Sequence, residues 1–423
     1  MTVCAVGLLA TRANAEDELP APDTQGDVPA DRATPEVAPD EPRVPDAQPD
    51  ADARPAKHKK DKKDKKDKKD KKDKKDKKAK QAKTKQKQKL DVGGRVFVRN
   101  ALVKLEGADH AALQSTLQSA RTGAEYRSHG LRAGLSLELA GKARVKDAFV
   151  QLRLHDEGTK IDVRAGQFKM PFSAIELTSI WTLPLADRGV IHDVLAKRLQ
   201  VAGRAVGAML VIEWAWPWHT ALRAGVFQGR DDADELLTGG AGDGFGQDGV
   251  VRLTVEPAHG FELGVSGSTR AGRLLVLPIE IRRSYAGELD AHVDVPVGPC
   301  RLRAWLEAIA GTSWLVGGTN SAHVHAKFLE TRALVGLRIG GAHKRDRYVE
   351  LYGFAGVLDP DANFTDDRVV ELTGGASYGT RAWRVQLEGE LWRVGDQAPN
   401  GIVELTVPPI DSTTVLLQVG AHI

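Results

Sequence analysis

The sequence has little cysteine, few aromatic residues and no apolar stretch long enough for a membrane-spanning helix. Among 423 residues there are 2 cysteines, 10 phenylalanines, 5 tyrosines and 8 tryptophans. Cys4 lies in the apolar N-terminus and Cys300 stands alone, which argues against an internal disulfide. Because no run of about 18 apolar residues is present, a helical membrane protein is excluded, whereas a membrane β-barrel is not.

Signatures of catalysis and of phosphate or metal binding are also missing. The chain has no Gly-x-Ser-x-Gly motif, no phosphate loop and no His or Cys cluster at metal-ligand spacing. The pair His323 and His325 lies in a long loop and is more typical of solvated histidines than of a metal site. We therefore predict no cofactor, no metal and no enzyme. A hydrolase in the barrel wall with a histidine relay is the alternative, since such triads are recognised by geometry.

The first 89 residues divide into three segments by composition. Residues 1–15 resemble the end of a secretory signal, with a cleavage site at Ala13-Asn-Ala15, and the missing basic segment suggests a true start upstream. Residues 16–56 are rich in Pro, Asp and Ala and are predicted to be a disordered spacer. Residues 57–89 repeat Lys-Lys-Asp, with 20 lysines against 6 aspartates, a net charge of +14.

The lysine-rich tail, Lys57 to Lys89, contrasts with the rest of the chain, since residues 90–423 carry a net charge of −3. A basic run of this kind usually indicates nucleic-acid binding. A secretion signal would instead place the tail in the periplasm, where the polyanions are lipid headgroups and cell-wall polymers, so we predict no nucleic-acid partner. An electrostatic tether to these polyanions and a merely solvated spacer are the two interpretations left open.

From Gly94 onward the sequence is a series of alternating segments of about 10 residues, the length of a tilted membrane strand. Short and long links alternate between them, as tight turns and long loops do in outer-membrane barrels. The predicted strands are Arg95–Leu105, Leu131–Leu139, Val145–Leu154, Lys160–Phe168, Ala205–Trp216, Trp218–Gln228, Gly249–Glu256, Phe261–Ser268, Ile281–Val295, Pro299–Ile309, Thr331–Ile339, Arg345–Gly356, Asp366–Ala376, Arg381–Arg393 and Thr413–Ile423.

These fifteen segments leave one strand missing, because a chain that starts and ends in the periplasm needs an even number. The missing strand is predicted between Gly107 and Arg127, around Leu113 to Ser119, where alternation is poor. The predicted fold class is thus all-β, a transmembrane antiparallel β-barrel of about 16 strands over residues 90–423, with 14 as the alternative. Charged residues on almost every strand argue for an aqueous lumen rather than the dry core of a soluble sandwich.

The longest link, Met170 to Arg204, has no strand or helix period but is rich in apolar residues, among them Trp181, Leu185 and Leu195. A segment this apolar must be packed, so we predict that it folds into the lumen. Trp214, Trp216 and Trp218 flank a turn at Pro217, as an aromatic girdle at the membrane interface would; core tryptophans are the alternative.

Four short motifs in and around this link resemble the core signature of the phosphate-selective porin O and P family. They are Gly166-Gln-Phe-Lys-Met-Pro-Phe172, Glu176-Leu-Thr-Ser179, Leu185-Ala-Asp-Arg188 and Gly203-Arg-Ala-Val-Gly207. The resemblance implies a sixteen-stranded barrel in the bacterial outer membrane, surrounded by lipid and usually trimeric, with the N-terminal tail in the periplasm. It also implies that small anions such as phosphate pass basic residues in the lumen. The family's lysine cluster at the constriction finds no match here.

Two groups of basic residues are the candidates for selecting ions. The first group is predicted on the inward loop at the constriction and consists of Arg188, Lys197, Arg198 and Arg204. The second group is predicted on the lumen wall and consists of Arg164, Arg301, Arg303, Arg332 and Arg338. Acids outnumber arginines on the lumen side of the strands, but a few cations in a narrow constriction can outweigh them. We predict a weakly anion-selective pore for small hydrophilic solutes that depends on the loop cations. The alternative is a structural anchor, tethered to the cell wall through the lysine-rich tail.

Overall fold

The computed structural model describes residues 88–141, 143–199, 201–215, 217–228, 247–274, 280–313, 326–341, 346–362, 367–395 and 411–422. They form a closed antiparallel barrel in which sequential strands pair and the first strand closes against the last. The signal, the spacer and all but the end of the lysine-rich tail lie outside this range. No helix within it is both long and apolar enough to cross a membrane.

Sixteen strands form the barrel, as predicted. They are β1 Lys89–Leu105, β2 Ala112–Ser128, β3 Leu131–Glu138, β4 Arg144–Glu157, β5 Thr159–Lys169, β6 Arg204–Trp214, β7 His219–Gln228, β8 Gln247–Ala258, β9 Phe261–Leu274, β10 Glu280–Val297, β11 Cys300–Ser313, β12 Ala326–Gly340, β13 Tyr348–Asp359, β14 Val369–Gly379, β15 Trp383–Val394 and β16 Ser412–His422.

The strand that the sequence pattern located only roughly is β2. Its pairing with β1 shifts register between Phe97 and Val98, and at this bulge the consecutive residues Gln118 and Ser119 are both buried. An extra residue in one strand breaks the period of two, because the side chains after it exchange faces. This explains why no continuous alternation was visible in the sequence between Gly107 and Arg127.

The two faces of the wall separate as the alternation predicted. On β16, Val415, Leu417 and Val419 are exposed on the outside, whereas Thr414 and Gln418 face inward and are buried. The same division continues around the barrel. The outer wall is therefore an apolar surface suited to lipid, and the polar side chains are collected inside.

The barrel has two different ends. At one end, here called the turn rim, the strands are joined by tight links, such as those at His129 and Gly130, at Gly158, and at His259 and Gly260. The opposite end, the loop rim, carries the longer links, including residues 106–111 and 360–368. In outer-membrane barrels the short turns face the periplasm and the long loops face outward.

The link between β5 and β6, residues 170–203, folds into the barrel and is called the inward loop. It contains the short helices α1 (Ala174–Leu177) and α2 (Gly189–Asp193), followed by a π-helical turn over Val194–Arg198. Its apolar side chains pack against lumen-facing residues of distant strands. One cluster joins Ile175, Ile180, Leu183 and Leu185 to Phe97, Trp305, Leu334, Tyr352 and Phe354. The prediction that this link enters the lumen is confirmed.

Candidate functional site: the lumen and its inward loop

The barrel wall opposite β5 and β6 holds the backbone of the inward loop by hydrogen bonds. Arg384 on β15 donates four bonds of 2.8–3.3 Å to carbonyl oxygens of residues 180–185. Gln386, on the same strand, donates to a further carbonyl oxygen of this stretch. Arg303 on β11 donates to the carbonyl oxygen of Thr182 at 2.6 Å. These arginines therefore satisfy an irregular backbone segment that has no ladder partners inside the barrel.

Carboxylates of the same wall accept the N–H groups of the loop. Glu288 on β10 accepts from the backbone N–H groups of Ser173 and Ala174, at 2.7 and 2.8 Å. Glu307, Glu371 and Glu388 accept from loop N–H groups in the same way, at 3.0–3.2 Å. All four carboxylates are buried. Much of the acidic surplus on the lumen side of the strands is thus used to anchor the loop rather than to face water.

A compact charge network ties the two halves of the loop together around Glu176 on α1. Its carboxylate contacts His192 Nδ1 on α2 and lies 3.9 Å from Arg332 Nη1 on β12. Lys169 Nζ donates to the backbone carbonyl oxygen of Glu176. Burial alone would raise the pKa of the Glu176 carboxyl, but His192, Arg188 and Lys169 outweigh it and hold this pKa below its usual range. Glu176 is therefore a buried anion stabilised by surrounding cations.

Among the loop cations predicted to line the constriction, the two with described side chains are both buried. Arg188 is 1% exposed and donates from Nε to the carbonyl oxygen of Ile175 at 3.3 Å and from Nη2 to that of Thr178. Arg204, predicted on the loop, is instead the first residue of β6; it is 6% exposed, with its Nε 3.0 Å from Asp147 Oδ1 on β4. The side chains of Lys197 and Arg198 lie outside the described part of the chain. The role of all four in ion selection stays a prediction.

The predicted lumen arginines divide between buried and water-accessible positions. Arg332 is completely buried and contacts Glu307 and Glu330, and Arg303 is 3% exposed. Arg303 and Arg338 meet at one carboxylate, that of Glu350, with N–O distances of 2.9 and 2.7 Å.

The last two predicted lumen arginines lie on different strands. Arg164 donates to Gln151 Oε1 at 2.7 and 2.9 Å, and its guanidinium stacks 4.7 Å from the ring centre of Phe149. Arg301 pairs with Asp294. The five predicted lumen arginines therefore do not form a single cluster.

Five arginines near the turn rim, here called the turn-side arginines, each pair with a carboxylate that is less exposed than the arginine. The side chains of Arg127 and Arg132 are 34% and 19% exposed, whereas their shared partner Glu125 is 11% exposed. Arg153 is 37% exposed and its partner Asp162 is 8% exposed. The same order holds for Arg301 with Asp294, at 49% and 25%, and for Arg338 with Glu350, at 25% and 1%. In these pairs the positive charge is the more exposed one. Arg153 also lies 3.4 Å from Asp156, whose side chain is 59% exposed, so at this position an exposed acid accompanies the arginine.

Sequence reasoning missed Arg127, along with Arg95, Arg99 and Arg121. These residues lie on β1 and on β2, the strand that the bulge obscured, and they face the lumen. Arg99 is 3.0 Å from Asp187 of the inward loop, and Arg121 is 3.4 Å from Glu138 on β3. For Arg121 and Arg127 the missing signal was the strand itself, because without a register the face of a residue cannot be assigned. Arg95 and Arg99 lie on a strand that the sequence did predict, so the alternation of β1 was the signal that could have found them. Within the described ranges, no three His, Cys, Asp or Glu side chains could hold a metal.

A closed barrel of sixteen strands with an apolar outer wall, a charged lumen and a loop folded inside defines an outer-membrane porin. The family model for the phosphate-selective porin O and P family matches residues 70–280, about half of the chain. The chain belongs to this family. Both the family and the fold indicate a channel rather than an enzyme, and place the protein in the outer membrane.

The solved structure of OprB of Pseudomonas putida agrees with this fold, and two further solved structures are similar to the chain. OprB of Pseudomonas putida is 10% identical, over 79% of this chain and 94% of that chain, with a TM-score of 0.52. An anion-selective porin from Comamonas acidovorans is 13% identical, over 80% and 100% of the two chains, with a TM-score of 0.49. The trimer form of OmpT of Vibrio cholerae is 12% identical, over 79% and 99%, with a TM-score of 0.49. No curated protein matches the sequence.

Proposed function

We propose that this porin passes small hydrophilic solutes with a weak preference for anions such as phosphate. The observation that carries the proposal is the unequal exposure of the turn-side ion pairs, in which the guanidinium is the more exposed partner. A permeating ion interacts most strongly with charges that reach the aqueous path, because charges behind protein are already compensated by their partners. An anion that passes these pairs therefore meets the guanidinium groups more directly than their paired carboxylates.

The buried acids support the same direction of selectivity. Glu288, Glu307, Glu371 and Glu388 accept hydrogen bonds from the inward loop and are buried, so their contribution to the field in the water path is partly cancelled. The preference is weak because each turn-side arginine also has a carboxylate beside it. The net charge of −3 over residues 90–423 also weakens the preference for anions.

Ion conductance in planar bilayers tests the proposal. The purified full-length protein is expected to produce discrete conductance steps and, in a potassium chloride gradient, a reversal potential with the sign of chloride preference. In a gradient of potassium phosphate the sign should be unchanged. A protein that inserts without conductance steps would contradict the channel, and a potassium preference would contradict the selectivity.

A second candidate function is a cell-envelope tether, and it is favoured by the charge of the lysine-rich tail, +14 over residues 57–89. Each lysine near an anionic surface contributes about 1 kcal/mol at low ionic strength, and salt screens the attraction within about 10 Å at 0.1 M. The full-length protein should therefore co-sediment with purified cell wall at low salt and be released at high salt. A variant lacking residues 57–87 should stay in the supernatant. Equal sedimentation of both proteins would reject the tether.

A further inference from the structure

The outer wall carries an uneven distribution of charge near the loop rim. Among strand residues whose side chains the structure describes, the exposed charged ones in the loop-side half of the outer wall are all basic: Lys104, Arg283, Lys327 and Arg393. Arg368, immediately before β14, is also basic and is 69% exposed. Cations facing a lipid environment are costly unless they lie at the headgroup level and meet an anion there.

Three of these residues lie side by side and are called the cation cluster: Lys104, Arg368 and Arg393. Thr413 on β16 pairs with Lys104 on β1 and with Leu391 on β15, two residues before Arg393. Arg393 in turn pairs with Val370 on β14, two residues after Arg368. With about 4.8 Å between neighbouring strands, the cluster spans roughly 14 Å of the rim. That width suits a headgroup with more than one anionic group.

The cation cluster includes hydrogen-bond acceptors as well. Arg368 Nε is 3.2 Å from Asp359 Oδ2, and Arg393 Nε is 3.8 Å from Asp411 Oδ2. The carboxylates are the less exposed partners, at 14% and 32%, so the guanidinium groups remain available from outside. Exposed cations next to carboxylates can bind phosphate and sugar hydroxyl groups together, since the former need positive charge and the latter need acceptors.

Below the cation cluster, the outer wall contains an apolar groove of 670 Å³. Gly353, Gly374 and Gly389 lie directly opposite one another on β13, β14 and β15, with Val335 and Val415 at the two ends of the row. A Cβ added at Gly374 would meet nothing within 4 Å, and at Gly353 and Gly389 only a backbone oxygen at 4.0 and 3.9 Å. The barrel's own packing therefore does not require glycine at these positions, and the groove is open to the lipid side.

The groove and the cation cluster are spaced like the two parts of a lipid. Gly389 precedes Arg393 by four residues on one strand, which corresponds to roughly 13 Å along the strand. The apolar band of an outer-membrane barrel is about 25 Å tall, so its middle lies about 12 Å below the headgroups. The groove is thus at the depth of acyl-chain ends when the cations are at the depth of the headgroups.

We propose that this face of the barrel, formed by β13 to β16 and β1, binds one phosphorylated, acylated glycolipid of the outer leaflet. The phosphates of this lipid bind the cation cluster, and its sugar hydroxyl groups contact Asp359, Asp411 and Thr413. One of its acyl chains lies in the apolar groove. The outer leaflet is the source because the loop rim of such barrels faces outward. A zwitterionic phospholipid would fit the groove but would leave the positive charge of the cluster uncompensated.

Native mass spectrometry of the full-length protein in detergent, with purified lipid A as the probe, tests the proposal. Wild type is expected to retain one lipid A per chain. Replacing Lys104, Arg368 and Arg393 together by Gln should weaken retention about a hundredfold, since each of the three cations near an anionic surface contributes about a fivefold factor. Gly374→Leu should also lower retention by filling the groove. This outward leucine has open space around it, so the barrel should still fold.

The matched control is the double variant Arg283→Gln and Lys327→Gln, which removes cations of the same rim away from the groove and should retain lipid A like wild type. Two further probes test the identity of the lipid, namely phosphatidylethanolamine and phosphatidylglycerol. Equal loss of lipid A in the control and the cluster variants would overturn the proposal. Retention of either phospholipid as strongly as lipid A would overturn the assignment to a glycolipid.

Discussion

Glu176→Gln is expected to release the inward loop from the lumen wall, to lower the thermal stability of the barrel and to raise both conductance and current noise. Glu176 is 2% exposed and is the anion shared by His192, Arg332 and Arg188. Removing one partner of a buried ion pair typically costs about 3–5 kcal/mol, because the remaining charges are left without compensation. Glutamine keeps the shape of the side chain, so the effect reports the charge.

The position of Glu176 in the loop explains why conductance should respond. It lies on α1 and contacts α2 through His192, so it joins the two halves of a segment that crosses the lumen. Once this link is lost, α2 can separate from α1, and the aqueous path widens. The measurement is single-channel conductance together with the rate of proteolysis within residues 170–203. Glu157→Gln, at an exposed position beside the turn rim, is the control and should leave both unchanged.

The same carboxylate predicts a dependence on pH with a definite sign. Because its pKa is depressed in the folded protein, Glu176 stabilises the loop above the ordinary carboxyl pKa, and this stabilisation is lost as the pH falls through the lower folded value. Wild type should therefore become noisier under strongly acidic conditions, whereas the Gln variant should be noisy already at neutral pH. A Gln variant that matches wild type at neutral pH would show that the loop is held by the wall alone.

Replacing the five turn-side arginines together by glutamine is expected to reverse the ion preference from anions to cations. These residues present the more exposed charge of the pairs they form with Glu125, Asp162, Asp294 and Glu350. Their removal leaves Glu125 and Asp162 without these cations, and leaves Asp294 and Glu350 with the buried Arg303 alone. Fields of this kind change local ion concentrations by about tenfold or more in narrow, low-dielectric paths. The anion-to-cation permeability ratio, obtained from the reversal potential in a salt gradient, should fall by about that factor.

A control with the same charge change is available on the outer wall. Replacing Lys104, Arg283, Lys327, Arg368 and Arg393 by glutamine also removes five positive charges but leaves the lumen unaltered. It should leave the reversal potential near that of wild type. If both variants shift it equally, overall charge rather than the turn-side arginines sets the preference.

The loop cations offer a competing explanation that the same experiment separates. If the constriction sets selectivity, replacing Arg188, Arg198 and Arg204 by alanine should shift the reversal potential more than the turn-side variant does. In the structure, however, Arg188 donates to carbonyl oxygens of its own loop and Arg204 faces Asp147. We therefore expect the triple variant to reduce the stability of the loop more than it changes the ion preference.

Most of the barrel could be predicted because its signal is local. On β15 the apolar residues Trp383, Val385 and Leu387 alternate with the polar residues Arg384, Gln386 and Glu388. Because every second residue of a strand lies on the same face, a few neighbouring residues are enough to assign both faces. The same is true of β16. The pattern failed at β2, where the bulge beside Gln118 and Ser119 makes two consecutive residues face inward. The sixteenth strand was therefore predicted from the rule that a chain with both ends in the periplasm has an even number of strands, and not from the residues of β2.

The sequence by itself determined the class of fold, the apolar outer face and the fact that an apolar link of this length must be packed inside. All three follow from which residues avoid water. Only the tertiary structure decided which charges face the aqueous path. Glu288 and Arg384 look like lumen charges by strand parity, yet they bind the backbone of the inward loop from opposite parts of the wall. Partners more than a hundred residues apart leave no trace in a local pattern, and burial by such partners determines which charges a solute meets.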